Sequence, residues 1–206
     1  MSGDTLYLAS VSPRRRELLQ QIGVAPIIRI ADIDETPHIH ESAAQMVQRL
    51  ALAKAQAVAG QLQQELSAVE QAHAWVLGAD TTGIVWNPAT GQNELLLKPA
   101  SKADAFRMWR LMANHTHQVL TAIALVNVAN TAQHHETLSV SDVEFGDVSA
   151  DEMETYWASG EPQDKAGAYA IQGYAACWVK KCSGSYSGVV GLPLYETKQL
   201  LEKIKS

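Results

Sequence analysis

The spacing of apolar residues changes along the chain, and each change marks an element. Residues 5–9 are β-prone, and Ser12 followed by Pro13 has the form of a helix N-cap with proline at the first helical position. Leu18, Leu19 and Ile22 then supply one apolar face before Gly23 ends the helix. Residues 24–33 read as a second strand that closes on the acidic pair Asp34-Glu35. Ser42 with Gln45 forms a capping box opening a long Ala-rich helix through Val47, Leu50, Ala51, Lys54 and Val58. Its polar continuation over 61–72 is expected to fray or break. Trp75-Val76-Leu77 predicts a short buried strand that ends at Gly78-Ala79-Asp80-Thr81. Residues 83–86 and 94–97 flank the turn 87–91 and predict a hairpin.

Ser101 begins a further helix with Phe106, Trp109, Leu111 and Met112 as its apolar content. Two long strands over 118–128 and 135–148 follow, joined by a polar turn at Asn130. Ser149 and Glu152 cap a helix that reaches Ala158, and 160–167 is a polar loop punctuated by glycine and proline. A last strand is expected near 177–181, then a glycine-rich loop over 183–191 and a closing helix over 194–204. Strands and helices mixed in this order predict an α/β fold with long antiparallel strands rather than a purely parallel sheet.

Length and charge narrow the function classes. A chain of 206 residues suffices for one α/β domain with a sizeable core. With 22 acidic against 16 basic side chains the formal charge is −6, which argues against a surface that neutralises long stretches of nucleic acid. A small phosphorylated ligand needs only a local cluster of cations. No run approaches a membrane span, and Met1-Ser2-Gly3-Asp4 lacks a basic or apolar leader, so a cytoplasmic protein without membrane contact is expected. Cys177 and Cys182, five apart on the expected strand, would face opposite ways, so neither a disulfide nor a shared metal site is expected.

The candidate chemistry is anionic-ligand chemistry. Ser10-Val11-Ser12-Pro13-Arg14-Arg15-Arg16 places hydroxyls and cations at a helix N-terminus, where free N–H groups and the helix dipole already favour an anion. Arg14, Arg15, Lys54, Lys98 and Lys165 are cations able to hold phosphates; Glu35, Asp80 and Asp164 are carboxylates able to hold a hard metal ion or activate water. Asp80, after an apolar strand and near a glycine, is the best single candidate, although a turn carboxylate would look the same. Lys54, one helical turn from Leu50, can equally snorkel from that face, and Lys98 before Pro99 can be a solvated turn lysine. The histidine pairs 38/40, 115/117 and 134/135 offer no third ligand in fixed relation, so a zinc site is not expected; His117 opens a strand and reads as a packed residue. Walker A, GxGxxG and GxSxG patterns do not occur.

Ser10-Val11-Ser12-Pro13-Arg14-Arg15 with Glu17-Leu18-Leu19, Gly78-Ala79-Asp80-Thr81, Lys98-Pro99, Thr116-His117-Gln118-Val119, and Gly184-Ser185-Tyr186 with Val190-Gly191-Leu192-Pro193 follow one another in an order that resembles the Maf family of nucleotide pyrophosphatases. The resemblance implies one domain over 1–206, with the Maf/inosine-triphosphatase-like fold: an elongated mixed sheet with helices, in two lobes around a central cleft. It implies hydrolysis of nucleoside triphosphates to the monophosphate and pyrophosphate, a divalent cation (Mg²⁺, Mn²⁺ or Co²⁺), a homodimer, and roles in house-cleaning or in cell-division arrest through septum inhibition. By the same resemblance Asp80 is the proton acceptor, Ser10, Arg14, Arg15, Lys54 and Lys98 contact phosphate or hold the site, and Glu35 supports metal or water.

The stretch Asp164-Lys165-Ala166-Gly167-Ala168-Tyr169-Ala170-Ile171-Gln172-Gly173 resembles the branch acting on dTTP and UTP, with modified pyrimidine nucleotides as further candidates. In that branch Arg, Thr and Gln mark specificity, here Arg14, Thr81 and Gln172. The 7-methyl-GTP branch carries cysteine at the place of Lys165 and glutamate at that of Gln172. A glutamine amide offers both the donor and the acceptor that the imide edge of a uracil-type base requires. The alternatives are 7-methyl-GTP hydrolysis and a non-catalytic nucleotide-binding regulator of septum formation. Segments 61–74 and 87–92 are longer than the family pattern, and Ala170 stands where glycine is usual.

Overall fold

The structure, a computed structural model, describes residues 4–30 and 32–204. Among them the elements run β1 (Thr5–Ala9), α1 (Pro13–Gln21), β2 (Ile27–Arg29), α2 (Ala43–Glu65), α3 (Ala68–Ala72), β3 (Ala74–Asn87), β4 (Gln92–Leu96), α4 (Lys102–Met112), β5 (Thr116–Asn127), β6 (His134–Phe145), α5 (Ala150–Ala158), β7 (Val179–Ser183), α6 (Tyr186–Val190) and α7 (Leu194–Lys203). Short 3₁₀ turns occupy Glu161–Asp164, Ala166–Ala168 and Tyr174–Trp178. The strands form a mixed sheet in the order β2-β1-β3-β5-β6-β7, with β4 also paired to β3. This is the expected α/β class.

Local chemistry explains most boundaries. Pro13 starts α1 after an extended Ser12, and Gly23 at φ 73° turns the chain away after its end. Ser42 and Gln45 complete the capping box of α2, whose buried positions recur every three or four residues from Ala43 to Leu62. The polar continuation does break: Leu66 is extended, and Ser67 with Glu70 caps the new helix α3. Ser149 and Glu152 cap α5 in the same way.

Four expectations change. The second strand shrinks from 24–33 to Ile27–Arg29, because Pro26 offers no N–H to a ladder and Ile30 is left exposed at the sheet edge. Strand β3 does not end at Gly78-Ala79-Asp80-Thr81 but runs on to Asn87. It pairs in parallel with β1 up to Leu77 and antiparallel with β4 from Gly83, so Asp80 lies inside a continuous strand. The last strand begins only at Val179, because 174–178 winds into a 3₁₀ turn, and there Cys177 is exposed while Cys182 sits on β7; both thiols are free. The glycine-rich stretch contains α6, whose first turn is capped by the Ser185 hydroxyl accepting from Gly188 N–H.

The described residues gather into two compact units, 4–80 with 121–139 and 191–204, and 81–120 with 140–190. The first is built on Leu8, Leu19, Val47, Leu50, Val58, Leu62 and Leu77, all essentially inaccessible. The second is aromatic: Trp109, Tyr156 and Trp178 meet with ring centroids 5.2–5.4 Å apart, joined by Phe145, Met108 and Met112. Among the described residues no helix is long and apolar enough to cross a membrane.

Candidate active site

In the first unit β1 delivers Ser10 and α1 delivers the arginines. Ser10 is buried, and its hydroxyl accepts from Ser12 N–H at 3.1 Å and from Arg15 Nη1 at 3.3 Å. Arg15 Nε donates to the Gly191 carbonyl at 2.8 Å, which folds the guanidinium back over the helix start instead of into water. Ser12 makes no side-chain cap, so its hydroxyl is not spent on the helix N–H groups.

Helix α2 approaches β3 closely because Gly78 has no side chain. A Cβ there would collide with the Ala51 carbonyl oxygen and press on Ala55 N. That approach brings Lys54, only 9% exposed, onto Asp80, 8% exposed. Lys54 Nζ donates to Asp80 Oδ1 at 2.7 Å and also meets Glu35 Oε1 at 2.8 Å. Glu35 comes from a loop held in place by its neighbours. Thr36 N–H donates to Asp34 Oδ1 at 2.9 Å, and Arg49 donates to the Thr36 carbonyl while forking onto Glu41 at 2.6 and 2.7 Å.

The electrostatics agree with a reactive carboxylate. Burial pushes the Asp80 carboxyl above its ordinary value; Lys54 and then Arg15 pull it back without cancelling the rise, and Glu35 adds to it. Burial lowers Arg15, opposed by Asp80, with Arg14 lowering it further and Glu35 raising it. Arg15 keeps its charge under such pressure, since a guanidinium does not release its proton in proteins. Two carboxylates and three cations thus act on one another inside one unit. At its centre the Lys54–Asp80 pair is buried, while Glu35 is exposed; a buried pair of this kind contributes little net stability, which points to use rather than scaffolding.

A family model described as Maf-like protein matches residues 5–204. The chain belongs to the Maf family. Maf relatives named dTTP/UTP pyrophosphatase match it over nearly the whole length. That of Saccharophagus degradans is 46% identical over 197 residues, covering 96% of this chain and 87% of its own. That of Aromatoleum aromaticum is 44% identical over 206 residues, covering 96% and 94%. That of Salmonella typhimurium is 47% identical over 197 residues, covering 96% and 91%.

Of the residues the Maf pattern singles out, Ser10, Arg15, Glu35, Lys54 and Asp80 come together in the first unit, with Arg14 half-buried beside them. Thr81, Lys98, Lys165 and Gln172 belong to the second unit. There Lys165 Nζ donates to the Glu161 carbonyl and to Asp164 Oδ1, each at 2.6 Å. Gly167 N–H donates to the Leu97 carbonyl at 3.0 Å, which lays the Lys165 loop beside the segment carrying Lys98. Gln172 and Lys98 are exposed, and Thr81 is half-buried. Sequence reasoning missed the Gly191 carbonyl as an anchor for Arg15 and Gly78 as the packing point beneath Asp80. In sequence Gly78 marks a strand end and Gly191 lies in a glycine-rich loop; only the tertiary contacts show a close backbone approach at the first and a carbonyl anchor at the second.

The donor set fits a hard divalent cation. Glu35 and Asp80 already converge on one ammonium, and Mg²⁺ is commonly held by one or two carboxylates plus substrate phosphate oxygens.

Proposed function

We propose that this Maf protein hydrolyses dTTP and UTP to the monophosphate and pyrophosphate. The observation that carries the reading is Asp80, buried, raised in pKa and paired with Lys54, in a chain about 45% identical over nearly its whole length to relatives named for that reaction. Asp80 accepts the proton of a water whose oxygen bonds to the α-phosphorus; the bond from that phosphorus to the oxygen bridging to the β-phosphate breaks, and pyrophosphate leaves. Arg14, Arg15 and Lys54 neutralise the charge that builds on the phosphate oxygens, helped by the helix start at Ser12. Glu35 and Asp80 would hold a divalent cation, Mg²⁺, Mn²⁺ or Co²⁺, which when bound supplies Lewis-acid charge to those oxygens. Lys98 serves phosphate, and Thr81, Gln172 and Arg14 serve base recognition, as the family pattern assigns them, with Lys165 a further cation able to hold phosphate. The Gln172 amide suits a uracil-type imide edge. One functional domain over 1–206, a cytoplasmic location and a homodimer complete the reading.

The test is pyrophosphate release from a panel of dTTP, UTP, CTP, GTP and 7-methyl-GTP, with and without Mg²⁺. Turnover is expected for dTTP and UTP. Preference for 7-methyl-GTP would overturn the substrate assignment, and nucleotide binding without release of pyrophosphate would favour a regulatory protein.

A further inference from the structure

Segment 165–172 in the second unit is a loop with a buried middle. Ala168, Tyr169, Ala170 and Ile171 are all buried, whereas Lys165 before them is half-buried and Gln172 after them is exposed. Burying a loop is costly unless its backbone groups find partners. Here buried side chains supply them. Trp109 Nε1 donates to the Ala168 carbonyl at 3.0 Å, and Ala170 N–H donates to Tyr156 Oη at 3.0 Å. Two consecutive residues adopt left-handed backbone, Gly167 at φ 68° and Ala168 at φ 56°. For alanine that conformation is strained, and it persists where the surroundings over-determine it.

The remaining fixture is a side-chain pair outside the proposed chemistry. His117, at the start of β5, is 1% exposed, and its Nε2 lies 2.8 Å from Tyr169 Oη. Its ring packs edge-on against Phe145 and Tyr169, at 4.9 and 5.5 Å between centroids. Within the described residues its Nδ1 has no hydrogen-bond partner. A polar ring so placed, with one nitrogen left over, is a poor choice for filling a core: an apolar ring of similar size would avoid the orphaned nitrogen. What the histidine gives is a single directional bond to Tyr169, whose ring also packs against Phe145 of β6, so that this side chain ties the loop to the sheet.

We propose that His117 and Tyr169 form a positioning latch that holds 165–172 in the backbone path needed by Gln172, and thereby sets nucleotide selectivity rather than the rate of the chemical step. This rests on the dTTP/UTP reading. The latch acts through Gln172, so its effect appears in discrimination between nucleotides. A purely structural pair would lower the active fraction for every nucleotide alike.

The experiment compares the wild type with Tyr169→Phe, which keeps the ring and removes the hydroxyl, and with His117→Gln, which keeps a hydrogen-bonding side chain. Steady-state kcat and KM are measured for dTTP, UTP and CTP, and amide hydrogen exchange is followed over 165–173. For Tyr169→Phe the preference for dTTP over CTP is expected to fall roughly tenfold, the size of one lost hydrogen bond, mainly through KM for dTTP. Exchange in 165–173 should quicken while that of α4 and α5 is retained. His117→Gln should retain part of the preference that Tyr169→Phe loses, and Tyr169→Phe combined with Gln172→Ala should discriminate no worse than Gln172→Ala alone. Equal losses for all three nucleotides, or unchanged exchange in 165–173, would overturn the latch. A wild type that hydrolyses neither dTTP nor UTP would instead sink the functional reading, and the exchange data would still report whether the pair holds the loop.

Discussion

Asp80 is held between two opposing influences. Burial favours the neutral acid, while Lys54 at 2.7 Å and the field of Arg15 favour the carboxylate. The balance raises this carboxyl above an ordinary solvated aspartate, a direction that would suit proton abstraction from water. Replacing Asp80 by Asn should cut kcat roughly a hundred- to ten-thousandfold, the usual contribution of a general base, while nucleotide binding survives in equilibrium titrations. Lys54→Met removes the largest influence opposing burial. In the metal-free protein the Asp80 carboxyl, followed by ¹³C NMR, should titrate above the ordinary aspartate range. In Lys54→Met it should titrate higher still. A shift in the other direction would mean that burial does not govern this carboxylate.

At the scale of elements, the pairing of Lys54 with Asp80 depends on how near α2 lies to β3. The buried stripe of α2 places Lys54 between Ala51 and Ala55, and the Ala51 and Ala55 backbones are the atoms that a side chain at 78 would strike. Gly78→Ala should therefore destabilise the protein by about 2–3 kcal/mol in urea unfolding, the cost of overpacking against backbone that cannot step aside. Activity should fall beyond the loss of folded protein, because Lys54 is pushed off Asp80. An alanine variant of normal stability and activity would show that the approach is looser than the geometry indicates. The same scale explains the misplaced boundaries. Gly78 looks like a strand terminator in sequence, but it is a contact residue inside a 14-residue strand. Cap residues behaved more reliably: the boxes at Ser42–Gln45 and Ser149–Glu152 start helices where their spacing says, because the bonds they make are local.

At the scale of the whole molecule, stability carries the signature of His117. Burial lowers its pKa from 6.5 to about 4, so the unfolded chain binds this proton at higher pH than the folded one does. Stability is then fully present above 6.5 and is lost as pH falls from there towards about 4. Between about pH 7.5 and about pH 5 the loss attributable to this residue should be about 2 kcal/mol. Denaturant melts of the wild type and His117→Gln at those two pH values should show a decline smaller by that amount in the variant; equal declines would show that His117 titrates as an ordinary exposed imidazole.

The chain's sequence by itself determined the starts of α1, α2, α4, α5 and α7, the hairpin at 87–91 and the α/β class, because each rests on short-range periodicity or capping chemistry, while an ordered set of motifs carried the Maf family. It could name Asp80, Lys54 and Glu35 but not join them. Those three lie on a strand, a helix and a loop 26 and 45 residues of chain from one end of the set to the other when counted from Lys54 and Glu35 to Asp80, and only packing brings such separations to 2.7–2.8 Å. Tertiary structure alone decided that β3 continues past Asp80, that Gly78 is a point of backbone approach, and that His117 reaches Tyr169 across 52 residues. The physical reason is the same in each case: a neighbour supplied by a distant segment changes partner, dielectric and free space, and none of these is written in the local pattern.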